Sequence, residues 1–430
     1  MPNPTATLSF DGRSLDLEVV EGTEAERAVD IVDLRAKTGL VTLDPSYGNT
    51  ASTTSKITFI DGEEGVLRYR GYPIEQLAAK SSFIESSFLL IYGRLPNATD
   101  LEATNRQLSQ HVFIHEDIRD VISAYPSNAH PMAVLSATTA ALSAFYPDAM
   151  DVNNRANLDL TIARLMAKLP TIASFIFRKM EGRPYVYPKR KLPYVENLLH
   201  MMFSTPTEPY EPDPEEVKAL DLMLLLHADH EQNCSTSTVR LVGSAETNLF
   251  ASIAAGMCAL WGPLHGGANE AVVSMLSRIH ESGGDVADYV KKVKDKSSGL
   301  RLMGFGHRVY KNFDPRASII KAQTDRLLAK LQRVDPLLEI AKRLEETALE
   351  DSYFIDRKLY PNVDFYSGVI YRAMKIPVKM FTVMFALGRL PGWIAHWKEM
   401  LDSPGRRIGR PRQIYTGETE RDYVEVSKRP

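Results

Sequence analysis

The chain has 430 residues, 44% apolar and 24% charged, a composition that excludes disordered, collagen-like and disulfide-scaffold classes. This is longer than the roughly 250–300 residues at which one core stops growing, so two domains are expected. A net charge of −3 gives no global reason to meet nucleic acid or an anionic membrane, and any positive charge that matters is local.

Only Cys234 and Cys258 are present, and the opening MPNPTATLSFDGR lacks a basic and an apolar leader segment. The expectation is a cytoplasmic protein without a disulfide framework. In chain order, TLSFDGRSLDLEV (7–19) alternates apolar and polar residues around Asp11-Gly12 and predicts a hairpin, and ITFIDGEEGVLRYRG (57–71) predicts a second. After Pro73, apolar residues recur at helical spacing in 81–93, 130–146, 157–177, 215–231 and 249–261. The last of these, LFASIAAGMCALW, is shorter than the ~20 residues that cross a bilayer and reads as a buried helix. From 271 to 372 the chain turns more charged, which marks a second domain.

Several stretches group reactive side chains. LHADHEQN (226–233) places His227 and His230 three apart near the end of a predicted helix, on one face. Without a third histidine or cysteine at ligand spacing, a metal is disfavoured, and a structural pair and a substrate contact both stand. Cys234 lacks a cysteine-hydrolase setting and reads as a packing residue. In WGPLHGGANE (261–270), His265 sits before a predicted helix N-terminus, where free amides keep an imidazole neutral; a satisfied turn histidine is the alternative. MGFGHRVYKNFDPR (303–316) sets His307 after Gly304 and Gly306 and follows it with Arg308, Lys311 and Arg316, a loop whose backbone must approach something closely. In YPNVDFYSG (360–368), Asp364 among apolar neighbours is a base with a raised pKa or a turn aspartate. Arg389, Arg410 and Arg412 suit carboxylates, although the 406–412 charges also fit a solvated basic tail. The chain has no G-x-x-x-x-G-K-[ST] loop, and GFGHRV breaks G-x-G-x-x-G at its last position, which removes kinase and dehydrogenase readings. The inventory suits proton abstraction beside a carbonyl, with histidines stabilising an enol and arginines holding an anion.

LHADHEQN, WGPLHGGANE, GFGHRVYKNFDPR and YPNVDFYSG, in this order across nearly the whole chain, resemble the citrate synthase family in its longer bacterial form. The resemblance implies an all-α, multi-helical, two-domain fold with a small N-terminal β region. Its parts would be residues 1–72 (β-containing), 73–270 with 373–430 (large domain) and 271–372 (small domain), with closure over the cleft once oxaloacetate has bound. It implies an acyltransferase of the tricarboxylic acid cycle that converts the acyl group to alkyl on transfer, condensing acetyl-CoA with oxaloacetate. His265, His307 and Asp364 would be catalytic; His230, Arg316, Phe385 and Arg389 would meet oxaloacetate, with Arg410 supplied by a neighbouring subunit. Leu302, Met303, Gly304, Phe305 and Gly306 match the backbone laid against the CoA adenine, and the glycines would admit the ligand. Arg357 and Lys358 would meet CoA phosphate or remain surface charge. No metal and no tightly bound cofactor are implied; acetyl-CoA is a co-substrate, and the assembly is a homodimer or a trimer of dimers. A 2-methylcitrate synthase using propionyl-CoA is the runner-up, less favoured because VDFYSG is closer to the citrate branch, and a non-catalytic binding homologue is a further alternative. Where some members bind NADH, in the region matching SQHVFIHE (109–116), Gln110 and Val112 are poor anion ligands, so weak or absent NADH inhibition is expected.

Overall fold

In the computed structural model, which describes residues 4–307, 309–332 and 335–429, Asp11 and Gly12 both take positive φ, 46° and 73°. That turn geometry matches the twist of paired strands, and it closes the first predicted hairpin between Thr5–Phe10 and Arg13–Glu21. A third antiparallel strand, Arg27–Val29, adds to its edge. These strands belong to a unit formed by Met1–Thr54 with Arg410–Pro430. Its C-terminal portion is exposed and carries only the short 3-10 turn Val426–Lys428.

The second unit, Ser55–Gly409, begins with the other predicted hairpin, Thr58–Asp61 with Val66–Tyr69, extended by Tyr72–Pro73. Helices follow. The predicted segments become Phe83–Tyr92, Pro131–Phe145, Arg155–Met180, Pro214–Leu226 and Leu249–Leu260. Arg155–Met180 is long and apolar enough to cross a membrane by composition, but it is almost wholly buried in the protein core. Several starts are written in the sequence: Ser82, Asn97 and Asp213 each cap a helix through a reciprocal capping box, worth about 1 kcal/mol apiece. The charged region forms Ala268–Glu281, Val286–Lys294, Pro315–Leu331, Pro336–Glu350 and Val363–Ala373.

The Phe381–Asp402 helix is buried along nearly its entire circumference, as expected for a helix apolar on all faces. It packs against Pro214–Leu226, Cys234–Gly243 and Leu249–Leu260. Glycines set the approach. A Cβ at Gly388 would lie 3.0 Å from the Leu224 carbonyl, and one at Gly392 would lie 2.2 Å from the Ala228 carbonyl and 2.4 Å from Asp229 Oδ1. The 228–230 turn therefore rests directly on the helix backbone, which also donates a hydrogen bond from Gly392 N–H to the Ala228 carbonyl, 3.1 Å.

Gly392→Ala is expected to destabilise the fold by about 1–3 kcal/mol, the usual cost of overpacking, seen as a lower urea midpoint at unchanged slope. An unchanged midpoint would mean that the 228–230 turn moves aside without cost.

Candidate active site

Two loops remote in sequence are joined backbone to backbone. Gly306 N–H donates to the Tyr360 carbonyl (2.8 Å), Asn362 N–H donates to the Gly304 carbonyl (2.9 Å), and Asn362 Nδ2 donates to the Gly306 carbonyl (2.9 Å). Gly304 and Gly306 adopt φ of 76° and 74°, a region costly to other residues. What approaches them is the protein itself: a Cβ on Gly304 would meet Val272 and Phe365, and one on Gly306 would meet Leu359. These glycines make room for the ladder, and the ladder sets His307 beside the start of the Val363–Ala373 helix.

His307 follows. Its Nδ1 accepts from the amides of Val309 (3.0 Å) and Tyr310 (3.2 Å). An amide can only donate, so Nδ1 is bare and the proton sits on Nε2. Burial, aided by the Arg316 charge, pushes the ring down to about 4, and it is neutral near pH 7. His265 carries the opposite tautomer. Its Nε2 faces the Ser235 amide (3.4 Å) and hydroxyl (2.8 Å), which leaves the proton on Nδ1. Burial first and Arg389 second hold it at about 4. The site therefore presents two neutral imidazoles with fixed N–H donors.

Asp364 is the second residue of the Val363–Ala373 helix rather than a turn aspartate. Its amide donates to Asn362 Oδ1 (3.0 Å), while its own Oδ1 is enclosed without a partner. Burial pushes the carboxyl up to about 6, against the pull of Arg316 and Arg389 and with the help of the Asp314 charge.

The two predicted arginines are both buried, and the charge of Arg316 helps to lower the pKa of Arg389. Arg316 lies in a fork with Asp314, Nε to Oδ1 at 3.0 Å and Nη2 to Oδ2 at 2.9 Å. Arg389 donates from Nε to the His227 carbonyl (2.6 Å), lies 5.0 Å from the Phe385 ring centre, and leaves Nη1 enclosed without a partner. Burial lowers it to about 10, so it stays charged. His230 packs against His307, ring centres 5.0 Å apart, with its Nε2 also unpartnered, and burial holds it well below the ordinary imidazole range. Phe385 spans His227 (4.7 Å) and His265 (6.3 Å) between ring centres. Enclosed polar atoms without partners are uncommon in folded proteins, and here Arg389 Nη1, His230 Nε2 and Asp364 Oδ1 belong to one electrostatic neighbourhood.

One helical expectation fails. Pro214–Leu226 stops before His227, and the chain turns through Glu231 at φ 52°, so His227 and His230 do not share a helical face. His227 is instead the helix C-cap, its Nδ1 donating to the Met223 carbonyl at 2.7 Å. Leu302 and Phe305 are buried and Met303 is partly so. Arg357 lies 3.9 Å from the Tyr353 ring centre, and Lys358 pairs with Glu63 at 3.2 Å. Arg410 belongs to the other unit and is exposed. Arg308 lies outside the described residues. Among the described residues no group of three or more His, Cys, Asp or Glu side chains is placed to hold a metal.

Sequence reasoning passed over Ser235, which orients His265 from 30 residues away and leaves no local signal. It also passed over Asp314, which was visible as the N-cap type of residue just before Pro315.

Comparison with known proteins bears on all of this. The family described as citrate synthase, C-terminal domain, matches residues 46–412. Citrate synthase 1 of Mycobacterium tuberculosis is 58% identical over 425 residues, covering 99% of each chain. Among solved structures, citrate synthase from Pyrobaculum aerophilum aligns with a TM-score of 0.82 at 36% identity, covering 96% of this chain and 98% of that one. A ternary complex of carboxymethyl coenzyme A and oxaloacetate with citrate synthase from Thermoplasma acidophilum aligns with a TM-score of 0.81 at 31% identity, covering 90% of this chain and all of that one.

Nitrogen-15 NMR of labelled protein is expected to find the proton of His307 on Nε2 and that of His265 on Nδ1, with neither ring titrating until the pH nears 4. Unfolded histidines take up protons near 6.5. These two groups therefore make stability fall as pH drops from 6.5 towards 4. Titration of either ring near 6.5 would contradict the buried, amide-locked geometry.

Proposed function

The chain belongs to the citrate synthase family, and from that premise we propose that Asp364, His265 and His307 carry the chemistry. The protein condenses acetyl-CoA with oxaloacetate and water to give citrate and CoA. Asp364 takes a proton from the methyl group of acetyl-CoA. A base raised to about 6 abstracts a proton more strongly than an ordinary carboxylate while remaining ionised at pH 7. His265 donates a hydrogen bond from its Nδ1–H to the thioester oxygen as charge develops there, so an enol forms without full carbanion charge. His307 directs its Nε2–H at the ketone of oxaloacetate and polarises it for attack by the enol carbon. Hydrolysis of the resulting citryl-CoA releases both products.

The observation that carries this reading is the pair of amide-locked tautomers, Val309 and Tyr310 on one ring and Ser235 on the other. A neutral imidazole with one nitrogen capped by backbone can only donate from the other, and its direction is preset. Arg316, Arg389 and His230 grip the oxaloacetate carboxylates; the unpartnered Arg389 Nη1 and His230 Nε2 support that role. Phe385 forms an apolar side of the same pocket.

The backbone of Leu302 to Gly306 lies against the CoA adenine, and Arg357 is a phosphate contact. Lys358, already paired with Glu63, contributes less. We assign Arg410 to the site of a neighbouring subunit in a homodimer. NADH is at most a weak inhibitor, because Lys168, which reaches segment 109–116, donates to the His111 and Phe113 carbonyls.

Release of free CoA thiol should depend on oxaloacetate, prefer acetyl-CoA to propionyl-CoA and be unchanged by NADH at low salt. A propionyl-CoA preference would move the protein to methylcitrate synthesis. Asp364→Asn should lower kcat by ~10²–10⁴ and leave oxaloacetate binding intact. In the unaltered protein kcat/KM should fall tenfold per unit of pH below about 6, as the base takes up its proton. Retained turnover in the variant would remove the assigned role.

Co-expressed Asp364→Asn and Arg410→Ala chains should recover activity that each lacks alone, since one site of the mixed dimer would have both residues. No recovery would place Arg410 outside the neighbour's site.

A further inference from the structure

Asp-Pro starts three helices in the second unit, with N-caps at Asp213, Asp314 and Asp335. All three accept the amide two residues on, the ordinary service of a capping residue. Asp213 and Asp335 remain partly accessible, with side chains 31% and 12% exposed, whereas Asp314 is 1% exposed. A cap needs only an oxygen, which serine or asparagine supplies. A buried carboxylate must be compensated by partners to be tolerated at all.

Asp314 has those partners, and they lie on both sides of the candidate site. Oδ1 accepts from the Arg316 amide and from Arg316 Nε, both at 3.0 Å. Oδ2 accepts from Arg316 Nη2 at 2.9 Å and from the Val363 amide at 3.1 Å. Val363 opens the helix whose next residue is Asp364. We propose that Asp314 is a positioning residue for the condensation, joining the arginine that grips substrate to the helix that carries the base. The inference rests on the roles given above to Arg316 and Asp364.

Its second effect is electrostatic. Asp364 faces Arg316 and Asp314 from the Pro315–Leu331 helix and its cap, Arg389 from Phe381–Asp402, and Tyr371 on its own helix. The two other packed helices, Ala268–Glu281 and Pro336–Glu350, carry Glu270, whose carboxylate accepts from Thr382, and Glu345, whose carboxylate is bonded by Tyr366 and Lys321. Among these, the negative charge of Asp314 opposes ionisation of Asp364, and it also neutralises Arg316, which would favour ionisation. Removing that charge acts twice in one direction: the base ionises more easily.

The test compares pH profiles of kcat/KM for Asp314→Asn, Asp314→Ser and Asp314→Glu with that of the unaltered protein, alongside Asp364→Asn. Serine retains a cap oxygen and serves if asparagine impairs folding. Both neutral variants should move the acid limb down by about one pH unit and raise KM for oxaloacetate roughly tenfold as Arg316 loses its fork. Glutamate should return the limb towards its original position. A purely structural Asp314 would lower the amount of folded enzyme and leave the limb where it was, which would overturn the proposal. If Asp364→Asn is inactive while the neutral Asp314 variants keep the original limb, only this inference falls. If Asp364→Asn turns over normally, the base assignment falls and this inference with it.

Discussion

The hydrogen bonds from Gly306 to the Tyr360 carbonyl and from Asn362 to the Gly304 carbonyl tie the segment before His307 to the segment before Asp364. Side chains could not make this junction with the same certainty, because a backbone ladder has no rotamers to lose. It requires positive φ at residues 304 and 306 and the space that a Cβ would take from Phe365, Val272 and Leu359. Once it is formed, the amides of Val309 and Tyr310 turn back onto the His307 ring, and Asn362 turns onto the Asp364 amide. The catalytic geometry is thus largely a product of main chain, with side chains hung from it.

Burial then acts on every titratable group in one sense, against charge. It lowers His227, His230, His265 and His307 and raises Asp364. A guanidinium starts too high for the same penalty to neutralise it: Arg389 still stands at about 10. Low dielectric therefore sorts the site into neutral donors, a weakened acid and two persistent cations. Of the cations, Arg316 is forked with its counter-charge Asp314, whereas Arg389 donates to a carbonyl from Nε and meets the Asp229 and Asp364 carboxylates only through space. The enclosed, unpartnered Nη1 of Arg389 is what a small dicarboxylate would answer.

Much of this was legible in the sequence. Asp11-Gly12 announced a hairpin because the turn needs those residues, and helical spacing announced the five early helices because their buried faces must repeat. The reactive positions were visible too, as histidines and arginines in glycine- and proline-rich settings. What was not legible is what depends on contacts made across the chain. Ser235 orients His265 from a separate helix. The end of Pro214–Leu226 is set by the 228–230 turn resting on Gly392, so an apolar pattern alone overran it to 231. The glycines of the 304–306 loop signalled close approach correctly, but the sequence had no means of saying that the approaching group was Phe365.

The same burial that tunes the site leaves it incompletely bonded. Arg389 Nη1, His227 Nε2, His230 Nε2 and Asp364 Oδ1 are enclosed without a protein partner, which is uncommon for buried polar atoms. The surrounding helices must therefore hold the arrangement in place. The all-round burial of Phe381–Asp402 and the glycine contacts beneath it do so. Affinity for the anionic substrate then rests on polar groups that main-chain geometry holds in place.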